Sequence, residues 1–166
     1  EWCGAGLREH CIHRRVIGWE SADGGLQREL VVPVSSLVAI PDHVDDDAAV
    51  FAVPVARALQ ASRQVRIEGK TFVTIVGDSA LALLTAQVLV RLNASVRVLG
   101  QHRELLDRCE RWGIRHRNRD EAGQRADQDI VVECTGTPAA VSATLGFVRP
   151  RGTVVHMVTP QLVGDG

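Results

Sequence analysis

From Thr71 onward, short apolar runs alternate with longer stretches whose apolar residues recur at helical spacing. Phe72-Val73-Thr74-Ile75-Val76 is rich in β-branched residues and is stopped by Gly77, so it reads as a buried strand. Ala80 to Leu92 is a strongly apolar helix, and Ser95-Val96-Arg97-Val98-Leu99 is a second strand. Arg103 to Trp112 has amphipathic helical spacing and closes on Gly113. Ile114-Arg115-His116 predicts a weak third strand, followed by a polar loop over 117–128. Asp129-Ile130-Val131-Val132-Glu133-Cys134 is a clear strand ended by Thr135-Gly136. Pro138 suits the first position of a helix, and Thr153-Val154-Val155-His156-Met157 is a final strand. Strands separated by helices of this length build a parallel sheet from βαβ units with right-handed crossovers.

The first third reads differently. Residues 1–25 are loop-like, rich in Gly, Cys, His and Arg. Leu30-Val31-Val32 and Leu37-Val38-Ala39-Ile40, punctuated by Pro33 and Pro41, predict short strands in an antiparallel setting over 26–40. Asp45-Asp46-Asp47 places acidic residues at the start of a helix running from Ala48 to Ala61, which Pro54 kinks or interrupts.

Bulk properties narrow the class. A chain of 166 residues with 45% hydrophobic and 23% charged content is globular rather than disordered. A net charge of −1 supplies no strong field for nucleic acid or membrane surfaces. Two basic clusters, Arg8/His10/His13/Arg14/Arg15 and Arg111/Arg115/His116/Arg117/Arg119, read as solvated faces. The second has acidic neighbours, and no tyrosine offers a stacking platform. No apolar run is long enough to span a bilayer and no secretory leader opens the chain, which predicts a soluble, cytoplasmic protein with free thiols. A hydrolase is excluded for want of a nucleophile-elbow context around Ser79 or Ser142. Asp129 and Glu133, on one face of a strand, stand roughly 13 Å apart, too far to share a proton.

The strand–turn–helix at 72–92 carries the candidate chemistry. The dinucleotide fingerprint is G-x-G-x-x-G/A, and here Gly77-Asp78-Ser79-Ala80-Leu81-Ala82 meets it at Gly77 and Ala82. Ser79 stands where the second glycine normally lets the pyrophosphate approach. The helix start still offers amide donors and a positive dipole end. A plain βα turn that binds nothing is the alternative. After the second strand, Gly100-Gln101-His102-Arg103 contains no carboxylate to hold a ribose 2′-hydroxyl. Arg103, with His102, could instead meet the 2′-phosphate of NADP, or Arg103 is merely an exposed first-turn residue. Thr135 and Gly136, at the end of a strand, are further cofactor-contact candidates, with an ordinary turn as the alternative.

Several segments together resemble the medium-chain dehydrogenase/reductases, specifically the zinc-containing alcohol dehydrogenase type. Cys3 and Cys11, with Gly6-Leu7 between them, look like the last two of that family's four structural-zinc cysteines. Asp23-Gly24-Gly25-Leu26, Val32-Pro33 and Ile40-Pro41-Asp42 resemble the close of its catalytic domain, and Asp47-Ala48-Ala49 with Pro54 the helix leading onward. Gly69-Lys70-Thr71, Val131-Val132-Glu133-Cys134-Thr135-Gly136 and Val148-Arg149-Pro150-Arg151-Gly152-Thr153 are similar to its cofactor-domain motifs. The resemblance covers nearly the whole chain.

The resemblance implies a doubly wound, Rossmann-type parallel sheet of about five strands preceded by an incomplete β-rich segment. The expected division is a remnant of a GroES-like catalytic domain at 1–58, a dinucleotide-binding domain at 59–160 and a tail at 161–166. It implies hydride transfer between an alcohol or carbonyl and NADP or NAD, with NADP slightly favoured by Arg103. The expected cofactor contacts are Gly77, Asp78, Ser79, Ala82, Gly100, His102, Arg103, Thr135 and Gly136. The family's catalytic-zinc Cys and His would precede Glu1, and its third ligand position, often Glu before the matching proline, is Val53. Cys3 and Cys11 would be half of a structural zinc site and hold no zinc unless other ligands complete the set. The chain is therefore expected to bind a nucleotide without catalysing hydride transfer by itself. The alternative is a non-catalytic structural module that pairs as a homodimer through the sheet edge at 153–158.

Overall fold

The computed structural model describes residues 2–7, 10–19 and 23–158. The expected tail at 161–166 lies outside the described residues, as does Arg8 of the first basic cluster. The chain divides into two compact units, Glu1–Asp42 and His43–Gly166.

In the first unit the predicted strands do not form. Residues 26–40 contain one 3-10 turn, Val34–Ser36, and otherwise irregular chain. Val31 is 98% exposed and Val38 92% exposed. A strand exists only when its amides and carbonyls are paired by a neighbour, and no other strand is described in this unit. Apolar content and alternation were therefore insufficient to specify a sheet here.

In the second unit the acidic start works as expected. Asp45 caps α1 (Asp46–Ala49), its carboxylate accepting from the Ala48 amide at 2.7 Å. The helix then breaks at Val50–Phe51 and resumes as α2 (Ala52–Arg63). The cause is Pro54, which has no amide to give the Val50 carbonyl and whose ring would strike it. Within α2 the proline falls in the first turn, where no intrahelical donor is lost.

Five parallel strands follow: β1 (Phe72–Val76), β2 (Ser95–Gly100), β3 (Arg115–Asn118), β4 (Gln128–Glu133) and β5 (Val148–His156), in the order β3-β2-β1-β4-β5. This is the doubly wound arrangement expected. Helices α3 (Ala80–Arg91), α4 (Arg103–Arg111) and α5 (Pro138–Thr144) lie between them. One face of the sheet presents Val73, Ile75, Val98, Ile130 and Val132 to a core completed by Ala61 of α2, Leu83 and Leu89 of α3 and Leu106 of α4. The other face presents Val76, Leu99 and Val131 to Ala140 of α5 and to Phe147. Alternate residues of one strand thus serve opposite faces, as the pleat requires.

β5 starts earlier than its apolar run predicts. Val148 pairs with Gln128 and Thr153 with Ile130, so the intervening residues bulge out of register. Arg151 takes φ +64 there. A side chain at Gly152 would sit 2.9 Å from the Asp129 carbonyl oxygen, so only glycine fits. Arg149 Nε donates to Asp129 Oδ1 at 2.7 Å across the bulge, while Asp129 Oδ2 accepts from the Phe72 amide at 2.7 Å.

Candidate functional site

Three turns meet at the carboxyl edge of the sheet, where the winding reverses between β1 and β4. In open α/β sheets that crevice is the ligand site. Gly77 follows β1 with φ +112, a conformation that disfavours any side chain. A Cβ at Gly77 would lie 2.8 Å from Thr135 Cγ2, which shows how closely the turns after β1 and β4 approach. Gly136, buried with φ +71, completes the second turn.

Ser79 is exposed and serves as the N-cap of α3, its Oγ accepting from the Ala82 amide at 3.3 Å. The hydroxyl is thereby drawn toward the helix rather than left across the turn. Ala82 is fully buried, so its small side chain lets α3 pack on β1. The first-turn amides of α3 at Ala80 and Leu81 have no intrahelical partner, by the geometry of a helix start. Glycine at 77 and 136, a capped helix start and its open amides form a cradle that fits a pyrophosphate.

The third turn is organised by Asp78. Its Oδ2 accepts from the amides of Gln101 at 2.8 Å and His102 at 2.7 Å, and His102 Nδ1 lies 3.1 Å from Oδ1. The Asp78 side chain is 10% exposed and that of His102 72% exposed. Gly100 lies directly beneath: a Cβ there would be 2.5 Å from Asp78 Oδ2. Burial by itself would raise the Asp78 carboxyl, but hydrogen bonds from the His102 amide and ring and the Gln101 amide, with the His102 charge, hold it below its usual value. Because the folded state holds this proton less tightly than the unfolded chain, Asp78 contributes stability above the unfolded carboxyl value of about 4, lost as pH falls through the lower folded value. Thermal melts of wild type and Asp78→Asn from pH 7 to pH 2.5 should therefore converge at the acid end. A gap that stays constant over that range would refute the linkage. Arg103 opens α4, is exposed, and makes no side-chain hydrogen bond or ion pair among the described residues.

Glu133 is the site residue that pattern reading missed. It is 0% exposed at the end of β4. Its Oε1 accepts from the Thr135 amide at 2.6 Å, the Thr135 hydroxyl at 2.6 Å and the Gly136 amide at 3.0 Å. His156 Nδ1 of β5 stands 3.8 Å from Oε2. The available signal was a carboxylate immediately before a Cys-Thr-Gly turn, which could close back on the amides that follow it. Next to it, burial and then the Glu133 charge push the Cys134 thiol up to about 12, which favours the protonated thiol.

In the first unit the structure brings Cys3 and Cys11 together. The Cys11 thiol is pulled down by a hydrogen bond to the His13 backbone, then by the Cys3 side chain and the Arg14 charge. Among the described residues no group of three or more His, Cys, Asp or Glu side chains could hold a metal ion, so the pair does not by itself fit tetrahedral zinc. Val53 is 71% exposed on α2 and offers no donor atom. A separate cleft of about 320 Å³, lined by Phe72, Ser95, Arg97, Arg115, Asp127 and Gln128, opens at the opposite end of the strands and shares no residue with the three turns.

No family model matches the chain. A sorbitol dehydrogenase of Halalkalibacterium halodurans is 24% identical over 91% of this chain and 47% of its own length. L-idonate 5-dehydrogenase (NAD(P)(+)) of Escherichia coli is 27% identical over 95% of this chain and 49% of its own length. The chain spans about half the length of the curated relatives it matches. Among solved structures, a protein of Sinorhizobium meliloti described as a zinc-binding dehydrogenase bound to NADP superposes with a TM-score of 0.84 at 27% identity, over 99% of this chain and 52% of that one. The sequence relatives and structural neighbours that this chain resembles, over about half their length, are zinc-dependent medium-chain alcohol and polyol dehydrogenases.

Proposed function

We propose that the chain is the NAD(P)-holding portion of a zinc-type alcohol or polyol dehydrogenase-like oxidoreductase, with the dinucleotide domain at 59–160 and a segment related to the catalytic domain at 1–58. The observation that carries this reading is the convergence of the Gly77, Gly100 and Thr135 turns at the winding reversal, packed so closely that a Cβ at Gly77 would touch Thr135. The α3 start with Gly77, Ser79 and Ala82 receives the pyrophosphate. Asp78, Gly100, His102 and Arg103 face the adenosine ribose, and Thr135 with Gly136 flanks the opposite side. A bound nicotinamide supplies hydride chemistry, while these residues bind and orient the carrier. Calorimetric titration with NADH and NADPH should give saturable binding. No heat from either at millimolar concentration would end the proposal.

The 166-residue polypeptide is proposed to bind nucleotide without oxidising alcohols by itself. Val53, which offers no donor atom at the matching third-ligand position, supports that reading. Rapid reduction of NAD by a polyol in the presence of zinc would refute it. The thiols and the absence among the described residues of any helix long and apolar enough to cross a membrane suit a cytoplasmic setting.

One observation favours self-association as well. Among the described residues β5 is an edge strand, with Thr153 and His156 exposed. Pairing of two copies through this edge predicts a dimer by light scattering, and a monomer at all concentrations would count against it.

A further inference from the structure

We infer that Asp78, reaching across Gly100, replaces the acidic side chain that ordinarily ends the second strand of a dinucleotide-binding sheet, so that the site takes a ribose 2′-hydroxyl and rejects a 2′-phosphate. The inference rests on the reading that this chain binds a dinucleotide, and it identifies which one. In such folds a carboxylate about 20 residues past the glycine turn accepts the 2′-hydroxyl of NAD. Here the end of β2 is Gly100, with no side chain, followed by Gln101 and His102. The space a side chain at Gly100 would enter is filled by Asp78: the Cβ position lies 2.5 Å from Oδ2, 2.6 Å from the Asp78 Cβ and 2.7 Å from its Cγ. The carboxylate stands in the first strand's turn, at the variable position of the fingerprint, and Gly100 at the second strand's end leaves room for it.

Two consequences follow from the hydrogen bonds. Oδ2 already accepts from both amides of the turn, at Gln101 and His102, so these donors are not open to a phosphate. Oδ1 keeps acceptor capacity beyond its 3.1 Å contact with the exposed His102 ring, and a ribose hydroxyl can donate to it. A 2′-phosphate would bring a second negative group against the Asp78 carboxylate, which is only 10% exposed, and like charges there repel. Arg103, the next residue after His102, is exposed and makes no ion pair with Asp78 among the described residues.

The experiment is titration of NADH and NADPH into the whole chain, its Asp78→Ser variant and its Arg103→Ala variant. Circular dichroism verifies the fold of each. Wild type should bind NADH tighter than NADPH by on the order of tenfold or more. Asp78→Ser, which removes the charge and opens the two amides, should erase that preference. Arg103→Ala should weaken NADH and NADPH alike, changing their ratio less than threefold. NADPH binding as tightly as NADH to wild type, or a preference unchanged in a folded Asp78→Ser chain, overturns the inference alone. A loss of NADPH affinity more than tenfold greater than that of NADH in Arg103→Ala does the same, by making the arginine the reader of the phosphate. Should Asp78→Ser not fold, the wild-type ratio and the arginine variant decide. Binding of neither nucleotide to wild type overturns the dinucleotide reading itself, and this inference with it.

Discussion

Gly77→Ala is expected to lower stability by about 3 kcal/mol and to weaken dinucleotide binding beyond detection. Two independent effects add. The backbone at 77 has φ +112, where a side chain is strained whatever its surroundings. The new methyl would also lie 2.8 Å from Thr135 Cγ2 and 3.5 Å from the Cys134 carbonyl carbon, so the turns after β1 and β4 must separate. Those two turns form the walls of the proposed pyrophosphate cradle, which links the stability loss to the binding loss. For a chain of this size the melting temperature should fall by roughly 6–12 °C. Gly123→Ala is the matched control, since a Cβ there meets nothing within 4 Å. Differential scanning calorimetry of both variants provides the measurement. Gly77→Ala melting within a degree or two of Gly123→Ala would show that the turns are slack and the cradle reading mistaken.

Glu133→Ala should be comparably damaging, at about 3 kcal/mol, through a different cause. The side chain is fully buried and its Oε1 accepts from two backbone amides and one hydroxyl of the following turn. Alanine leaves the Thr135 and Gly136 amides unpaired, that of Gly136 buried, and opens a hole beneath them. Removing a carboxylate that others rely on costs more than the pairings contribute net, because the orphaned donors cannot recover water. Glu133→Gln keeps the shape and one acceptor oxygen and should fall between wild type and alanine. Urea unfolding separates the three. The order wild type, glutamine, alanine with an unchanged slope is expected. An alanine variant within ~0.5 kcal/mol of wild type would mean that Thr135 and Gly136 hold their conformation without the carboxylate.

Both variants act on contacts between residues far apart in sequence, and that separates what was readable from what was not. β1 and β4 were visible as β-branched runs with turn residues after them, because a strand buried on both faces has apolar side chains whichever way they point. The acidic start at Asp45, Pro138 in the first turn of α5 and the Gly113 helix end obey rules that span three or four residues. The break at Val50–Phe51 fell four residues ahead of the expected culprit, because proline harms the carbonyl behind it more than its own position. The predicted strands at 26–40 failed for the complementary reason: alternation describes what a strand would bury, while pairing needs a partner.

By itself, then, the sequence determined the element order from Thr71 onward, the parallel α/β class, the glycine turn at 77, and the family resemblance that relatives of about twice this length later supported. These are local properties, set by side-chain size, β-branching and backbone freedom within a few residues. Only the tertiary structure decided how the turns read one another. Strand order places β2 and β4 on either side of β1, so residues 23 and 57 positions from the turn at 77–78 become its walls. From the sequence Asp78 was expected only as one of the contacts in the pyrophosphate turn. Hydrogen bonds made 23 and 24 residues downstream turn it into the carboxylate that β2 lacks. The choice between a ribose hydroxyl and a phosphate depends on which charge occupies a few cubic ångströms, and chain order does not encode that until the sheet has closed.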